Sequence, residues 1–137
     1  MRLFGTDGIR GEVGKYPLTI ESISKLAKAS SLVLKKKNSI SRVVINKDTR
    51  LSNYMFEPAL ASGFISMGID VILVGPLPTP ALTILSKSLR ADFSVMITAS
   101  HNPYSDNGLK FFSNNGFKIT QEEERKKEDN FFNYDFD

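Results

Sequence analysis

The sequence predicts an α/β fold, a mixed, mainly parallel sheet of about four strands held between helices. Two observations carry that expectation. Short β-branched runs alternate along the chain with segments of helical period, and strand, helix, strand, helix, strand in that order implies parallel neighbours covered on both faces. No internal repeat competes with this reading. A length of 137 residues allows one domain, or one domain and a tail, with enough chain to bury a core. Hydrophobic residues at 41% and charged residues at 24% exclude the disordered and fibrous classes. The lack of cysteine excludes a disulfide scaffold, a thiolate metal site and a cysteine nucleophile.

The elements follow in order. Thr19 caps a helix expected over about 19–36, in which Ile20, Ile23, Leu26, Ala27 and Leu34 share a face, with Lys35, Lys36 and Lys37 near its negative dipole end. Arg42-Val43-Val44-Ile45-Asn46 reads as a buried strand opening into the polar Asp48-Thr49-Arg50. Met55, Phe56, Ala59, Leu60, Gly63, Phe64 and Met67 mark a second helix stopped by Gly68. A strand over 70–75 is followed by Pro76, Pro78 and Pro80, which postpone the third helix to about residue 81. Residues 93–98 form a further strand, and 109–112 with 116–119 suggest a hairpin across Ser113-Asn114-Asn115.

The last segment breaks the pattern. Thr120 and Glu123 have capping-box spacing, yet 121–130 contain no apolar residue, so a helix there is expected to have no face to bury. Phe131, Phe132 and Phe136 then either meet a partner surface or belong to a frayed end, and the second is the expectation. The domain reading is therefore 1–120 as the folded domain and 121–137 as an acidic, Phe-containing tail at a truncated end. Charge divides the same way, the net +3 splitting into +7 for 1–120 and −4 for 121–137.

A basic body suits an anionic partner, but scattered cations without basic-aromatic alternation argue against nucleic acid. No apolar stretch approaches the ~18 residues of a membrane span and the N-terminus has no signal-peptide core, so a cytoplasmic location is expected.

Two polar loops sit where strands of such a sheet end, the place where ligands bind. One is Asp48-Thr49-Arg50; the other runs from Thr98 to Asn107 and contains Ser100, His101, Asn102 and Pro103. A serine hydroxyl acts as a nucleophile only with a base or metal beside it, and it can also carry a phosphoryl group; the same residues equally spell an Asx-type turn closed by Pro103. Lys110 is a general acid or base if burial lowers its pKa, or an exposed strand lysine. Gly5, Gly8 and Gly11 bracket Asp7 and Arg10 in a segment that is either a phosphate-facing loop or a hairpin on Asp7-Gly8. Neither a hydrolase triad nor a P-loop is present.

Taken together, the segment 4–11, Asp48-Thr49-Arg50, Pro78-Thr79-Pro80, Thr98 to Pro103, and Asn107-Gly108-Leu109-Lys110-Phe111 resemble the first domain of the α-D-phosphohexomutases, over residues 2 to about 120. The spelling is most similar to the amino-sugar branch of that family. The resemblance implies phosphorylation of Ser100, transfer of the group to a phosphorylated hexosamine, and return of the other phosphate to Ser100. It gives Arg10 a phosphoryl-holding role, His101 and Asn102 a loop-shaping and phosphate-binding role, and Lys110 a role as acid/base or charge stabiliser. It also implies Mg2+ held through phosphorylated Ser100.

Three further domains of the family, with their metal, sugar-recognition and phosphate-binding loops, are absent, so an isolated chain is expected to be inactive unless a second chain supplies them. Glucose or mannose phosphate specificity, or a non-catalytic module that docks through the basic body and Phe-rich end, are the competing readings. Two departures from the family accompany the resemblance: Asn53 where it usually has glycine, and Pro58 near the start of the second helix.

Overall fold

The computed structural model describes residues 2–6, 8–34 and 41–136. Among these residues nine elements follow in chain order: β1 (Ile9–Glu12), α1 (Ile20–Leu34), β2 (Arg42–Lys47), α2 (Asn53–Ser66), β3 (Asp70–Leu73), α3 (Thr79–Ser88), β4 (Phe93–Ile97), β5 (Asp106–Ser113) and α4 (Gln121–Asn133). They build one mixed sheet of five strands in the order β1-β5-β4-β2-β3. β2 lies parallel to both β3 and β4, whereas β5 is antiparallel to β4 and to β1.

The strand beyond the expected four is β1, in the glycine-rich segment read as a loop or local hairpin. Its partner is β5, about a hundred residues away, with Ile9 opposite Leu109 and Arg10 opposite Gly108. Because β1 covers only the first half of that edge, the end of β5 is free to bond 117–119. The expected hairpin there reduces to one bridge between Phe112 and Lys118.

The central strands β2 and β4 are buried along most of their length, whereas the edge strand β3 is half-exposed. Val43, Ile45, Phe93, Val95, Ile97, Leu109 and Phe111 join the major core with Ile23, Leu26, Phe56, Leu60 and Phe64 of α1 and α2. Val44 faces the other way, onto Leu82 of α3. Each large side chain so buried stabilises the fold by roughly 1.5–3 kcal/mol. Gly63 lets α2 lie against α1, since a Cβ there would stand 2.5 Å from the Ser24 carbonyl oxygen and 2.6 Å from the Ala27 Cβ.

Helix boundaries differ from expectation in explicable ways. Thr19 does cap α1, accepting from the Ser22 N–H at 3.2 Å. The lysines 35–37 lie outside the described residues. α3 begins at Thr79, earlier than 81, because Pro80 falls in the first turn, where its missing N–H has no intrahelical acceptor to lose. α2 starts at Asn53, so Pro58 does lie inside it, leaving the Tyr54 carbonyl without its i+4 donor on an exposed side of the helix.

The last segment is the clearest correction. α4 is capped as its spacing suggests, Thr120 Oγ1 accepting from the Glu123 N–H at 3.1 Å, but it is neither frayed nor without a buried face. Glu124, Lys127, Glu128 and Phe131 are all buried. Apolar counting misses this face because long charged side chains bury their stems. The whole Lys127 side chain is buried with its Nζ over the Phe111 ring, and Glu128 reaches the N–H groups of Leu3 and Phe4. Among the described residues no helix is long and apolar enough to cross a membrane.

Candidate functional site

The crossover from β2 to β3 uses α2 on one face of the sheet, and the return from β3 to β4 uses α3 on the other. Helices that leave on opposite faces open a crevice at the carboxyl ends of the strands between them. Both polar loops singled out from the sequence lie there, following β2 and β4.

Ser100 sits just past β4 with φ of 55°, a left-handed backbone that a non-glycine residue adopts only when its surroundings hold it. Those surroundings are specific. The Ser100 N–H donates to Thr98 Oγ1 at 3.0 Å, and Thr98 Oγ1 donates to Asp48 Oδ2 at 2.7 Å. Arg50 supplies the rest. Its Nη2 donates to the Ser100 carbonyl, its Nη1 to the carbonyls of Asn102 at 2.9 Å, Pro103 at 2.8 Å and Asp106 at 3.3 Å, and its Nε to Asp48 Oδ2 at 2.9 Å. The guanidinium is buried and also lies over the Tyr104 ring. Ser100 itself is exposed, so its hydroxyl stands at the apex of a loop whose backbone is fixed from beneath.

Asp48 anchors this frame as an anion. Burial raises its carboxyl pKa, but bonds from the Thr98 hydroxyl, the Arg50 N–H, the Arg50 side chain and Asn53 outweigh that and hold it below the ordinary 3.8. Asn53, which the resemblance marks as a departure, is buried in the same network. Its Nδ2 donates to the Asp48 carbonyl at 2.8 Å and Oδ1 at 2.9 Å, and its Oδ1 accepts from Asn107 Nδ2 at 2.8 Å. Its side chain therefore ties the β2 loop to the start of β5.

Of the other residues picked from the sequence, Arg10 and Asn102 are brought together, Arg10 Nη1 donating to Asn102 Oδ1 at 3.4 Å. The half-buried Arg10 keeps its Nε buried and without an acceptor among the described residues. Its path is opened by Gly108, where a Cβ would stand 3.0 Å from Arg10 Cγ and 2.2 Å from the Ile9 carbonyl oxygen. Asn102 also donates to Asp106 Oδ2 at 3.2 Å.

Strand alternation puts Lys110 on the same sheet face as Gly108 and Arg10, one pleat further from the Ser100 loop. It lines a cavity of about 270 Å³ with Gly8, Thr79, Phe112 and Lys118, and no hydrogen bond joins it to the loop. His101 is exposed beside Ser100 and hydrogen bonds to nothing among the described residues. Asp7 lies outside those residues. Arg50 is the site residue for which the sequence reading had no role; its position at the end of β2 was the available signal.

The phosphohexomutase family generally uses Mg2+. Among the described residues, no three His, Asp or Glu side chains gather as metal ligands. The carboxylates nearest the loop are engaged, Asp48 by Arg50, Thr98 and Asn53, and Asp106 by Asn102. A cation that takes about six oxygens does not find them here. The described residues do not build such a site by themselves, and phosphorylated Ser100 would be the group among them that holds the ion.

An α/β/α domain presenting a serine at the carboxyl edge of its parallel strands defines a class, and comparison gives that class its family. Residues 1–137 match the model for phosphoglucomutase/phosphomannomutase, alpha/beta/alpha domain I, and the chain belongs to that family. It is 54% identical over 122 residues to a phosphoglucosamine mutase of Rhodospirillum rubrum, covering 89% of this chain and 27% of the relative. The phosphoglucosamine mutase of Rhodospirillum centenum is 56% identical over 123 residues, with 90% and 26% covered. Among solved structures, a phosphoglucomutase/phosphomannomutase family protein from Burkholderia thailandensis superposes with a TM-score of 0.81 at 27% identity, over 95% of this chain and 30% of that one. The chain thus spans little more than a quarter of the length of these curated relatives.

Proposed function

We propose that this chain is the phosphoserine domain of a phosphoglucosamine mutase, in which Ser100 carries a phosphoryl group between glucosamine 6-phosphate and glucosamine 1-phosphate. The observation that carries the reading is the exposed Ser100 apex, held left-handed from below, with the Arg10 guanidinium against the same loop through Asn102. Relatives of that name at 54% and 56% identity support the choice of sugar.

Phosphoryl transfer requires chiefly alignment and compensation of charge. The incoming sugar hydroxyl oxygen attacks phosphorus in line, its bond to phosphorus forming as the bond to Ser100 Oγ breaks. The hydroxyl gives up a proton and Oγ regains one. Arg10, whose buried Nε–H has no acceptor among the described residues, is suited to hold the phosphoryl oxygens. Lys110, on the same face, and His101, next to Ser100, are side chains of the right kind to move the proton. The bisphosphate then turns round, and its other phosphate returns to Oγ. Mg2+ would supply charge neutralisation at the serine phosphate when bound.

A lone domain is expected to be inactive, so the test combines the purified chain with the remaining mutase domains and follows glucosamine phosphate interconversion. Activity should appear only in the mixture, with Ser100 phosphorylated by intact mass and activity lost in Ser100→Ala. Full activity of a Ser100→Ala mixture, or none with the parent chain, overturns the reading.

A further inference from the structure

Arg50 is a buried cation whose five donor contacts all serve one loop. Four are to main-chain carbonyls between Ser100 and Asp106, and the fifth is to Asp48, which also holds Thr98, the acceptor of the Ser100 N–H. These carbonyls point inward because the chain reverses between β4 and β5, and a planar fork of N–H groups satisfies several at once where an ammonium cannot. None of these bonds goes to the Ser100 hydroxyl; Arg50 holds the loop through its backbone.

We infer that Arg50 is the positioning residue for Ser100: its guanidinium, clamped by Asp48, holds the Ser100 backbone left-handed and thereby sets the direction of the hydroxyl. This rests on the reading of Ser100 as the phosphoryl carrier, but the conformational part stands on its own geometry. Arg50→Lys keeps the charge and loses the fork. Arg10 lies on β1, and Lys110 lies four residues along β5 from Asp106, the one residue of that strand whose carbonyl Arg50 reaches, so the predicted defect is in aim rather than in anion binding.

The test has two arms. Backbone NMR of the full chain reports the sign of φ at Ser100 through its coupling constant and Cα shift, and hydrogen exchange reports the Ser100, Asn102 and Asp106 amides. In Arg50→Lys, Ser100 should leave the left-handed region and those three amides should exchange at least ~10-fold faster, while β2, β4 and α1 amides keep parental protection. In the mixture with the remaining domains, kcat should fall on the order of 100-fold with KM nearly unchanged, as a misplacement of about 1 Å demands.

A parental Ser100 signature in both Arg50→Lys and Arg50→Ala overturns the inference. So does global loss of protection in Arg50→Lys, which would mean that Arg50 serves the whole sheet. If the parental mixture is inactive, the phosphoryl-carrier reading fails alone, and the NMR arm still decides the role of Arg50.

Discussion

Lys127 holds its ammonium 3.6 Å from the centroid of the Phe111 ring, fully buried and with no hydrogen-bond acceptor among the described residues. A desolvated cation-π contact contributes about 2 kcal/mol, whereas taking an ion out of water costs several. Burial wins. It pushes the Lys127 pKa well below 10.5, against the opposing charges of Glu123 and Glu124.

A buried lysine of this kind leaves a signature in the pH dependence of stability. Between its folded pKa and 10.5 the unfolded chain binds more protons than the folded one, so stability rises with pH across that window and falls as pH drops through it. Lys127→Met, similar in length and without charge, should remove that slope and raise Tm at neutral pH, by ~4 °C for each kcal/mol gained. Urea titrations at several pH values between 7 and 10.5 check the slope and thermal melts at neutral pH check the Tm, and a Tm below the parent's would show that the cation-π contact outweighs burial.

Asp48 works with the opposite sign. Its folded pKa lies below 3.8 through bonds from Thr98, Arg50 and Asn53, so its contribution to stability is fully present above 3.8 and is lost as pH falls through the lower folded value. Asp48→Asn should be less stable at pH 7 and show a weaker loss of stability on acidification below pH 3.8. Equal acid slopes for the two proteins would mean that the carboxylate is not held by these bonds.

Alternation of β-branched runs with helical period was enough to place β2, α2, β3 and β4: β2 and β4 are central strands buried along most of their length, α2 packs Phe56, Leu60 and Phe64 into the core, and the edge strand β3 keeps a β-branched pair, Val71 and Ile72, between exposed ends. β1 was hidden because Ile9–Glu12 is polar and glycine-rich and owes its strand form to β5. α4 was hidden because its buried face is Glu124, Lys127 and Glu128. At the site, residue types alone left Ser100, Arg10 and Asn102 between a ligand-facing loop and an ordinary turn, and only the resemblance gave them roles. Arg50 was visible only as part of a motif, since its partners are main-chain carbonyls, which leave no mark on side-chain identity. Asn53 read as a departure, and its bonds to Asp48 and Asn107 could be found only in three dimensions.

That departure can be tested by reverting it. Asn53→Gly removes its three side-chain bonds, leaves Asp48 and Asn107 each short of a partner, and adds backbone freedom near the start of α2. A loss of about 2 kcal/mol is expected in urea denaturation. A stable Asn53→Gly chain would mean that water replaces the side chain without penalty.

Glu128 fastens the N-terminal arm, accepting from the N–H groups of Leu3 and Phe4, while Lys118 donates to the Thr6 carbonyl at 2.7 Å. The arm leads directly into β1, so whatever loosens it acts on the strand that carries Arg10. Hydrogen bonds to a charged acceptor contribute about 1.5–3 kcal/mol, and Glu128→Ala also leaves two N–H groups with no acceptor. Amides 3 and 4 should therefore lose protection first and those of β1 next, with β2 and β4 unaffected. Site-resolved hydrogen exchange reads this order directly. Uniform loss across the sheet would show instead that Glu128 supports α4 against α1, with no specific hold on the arm.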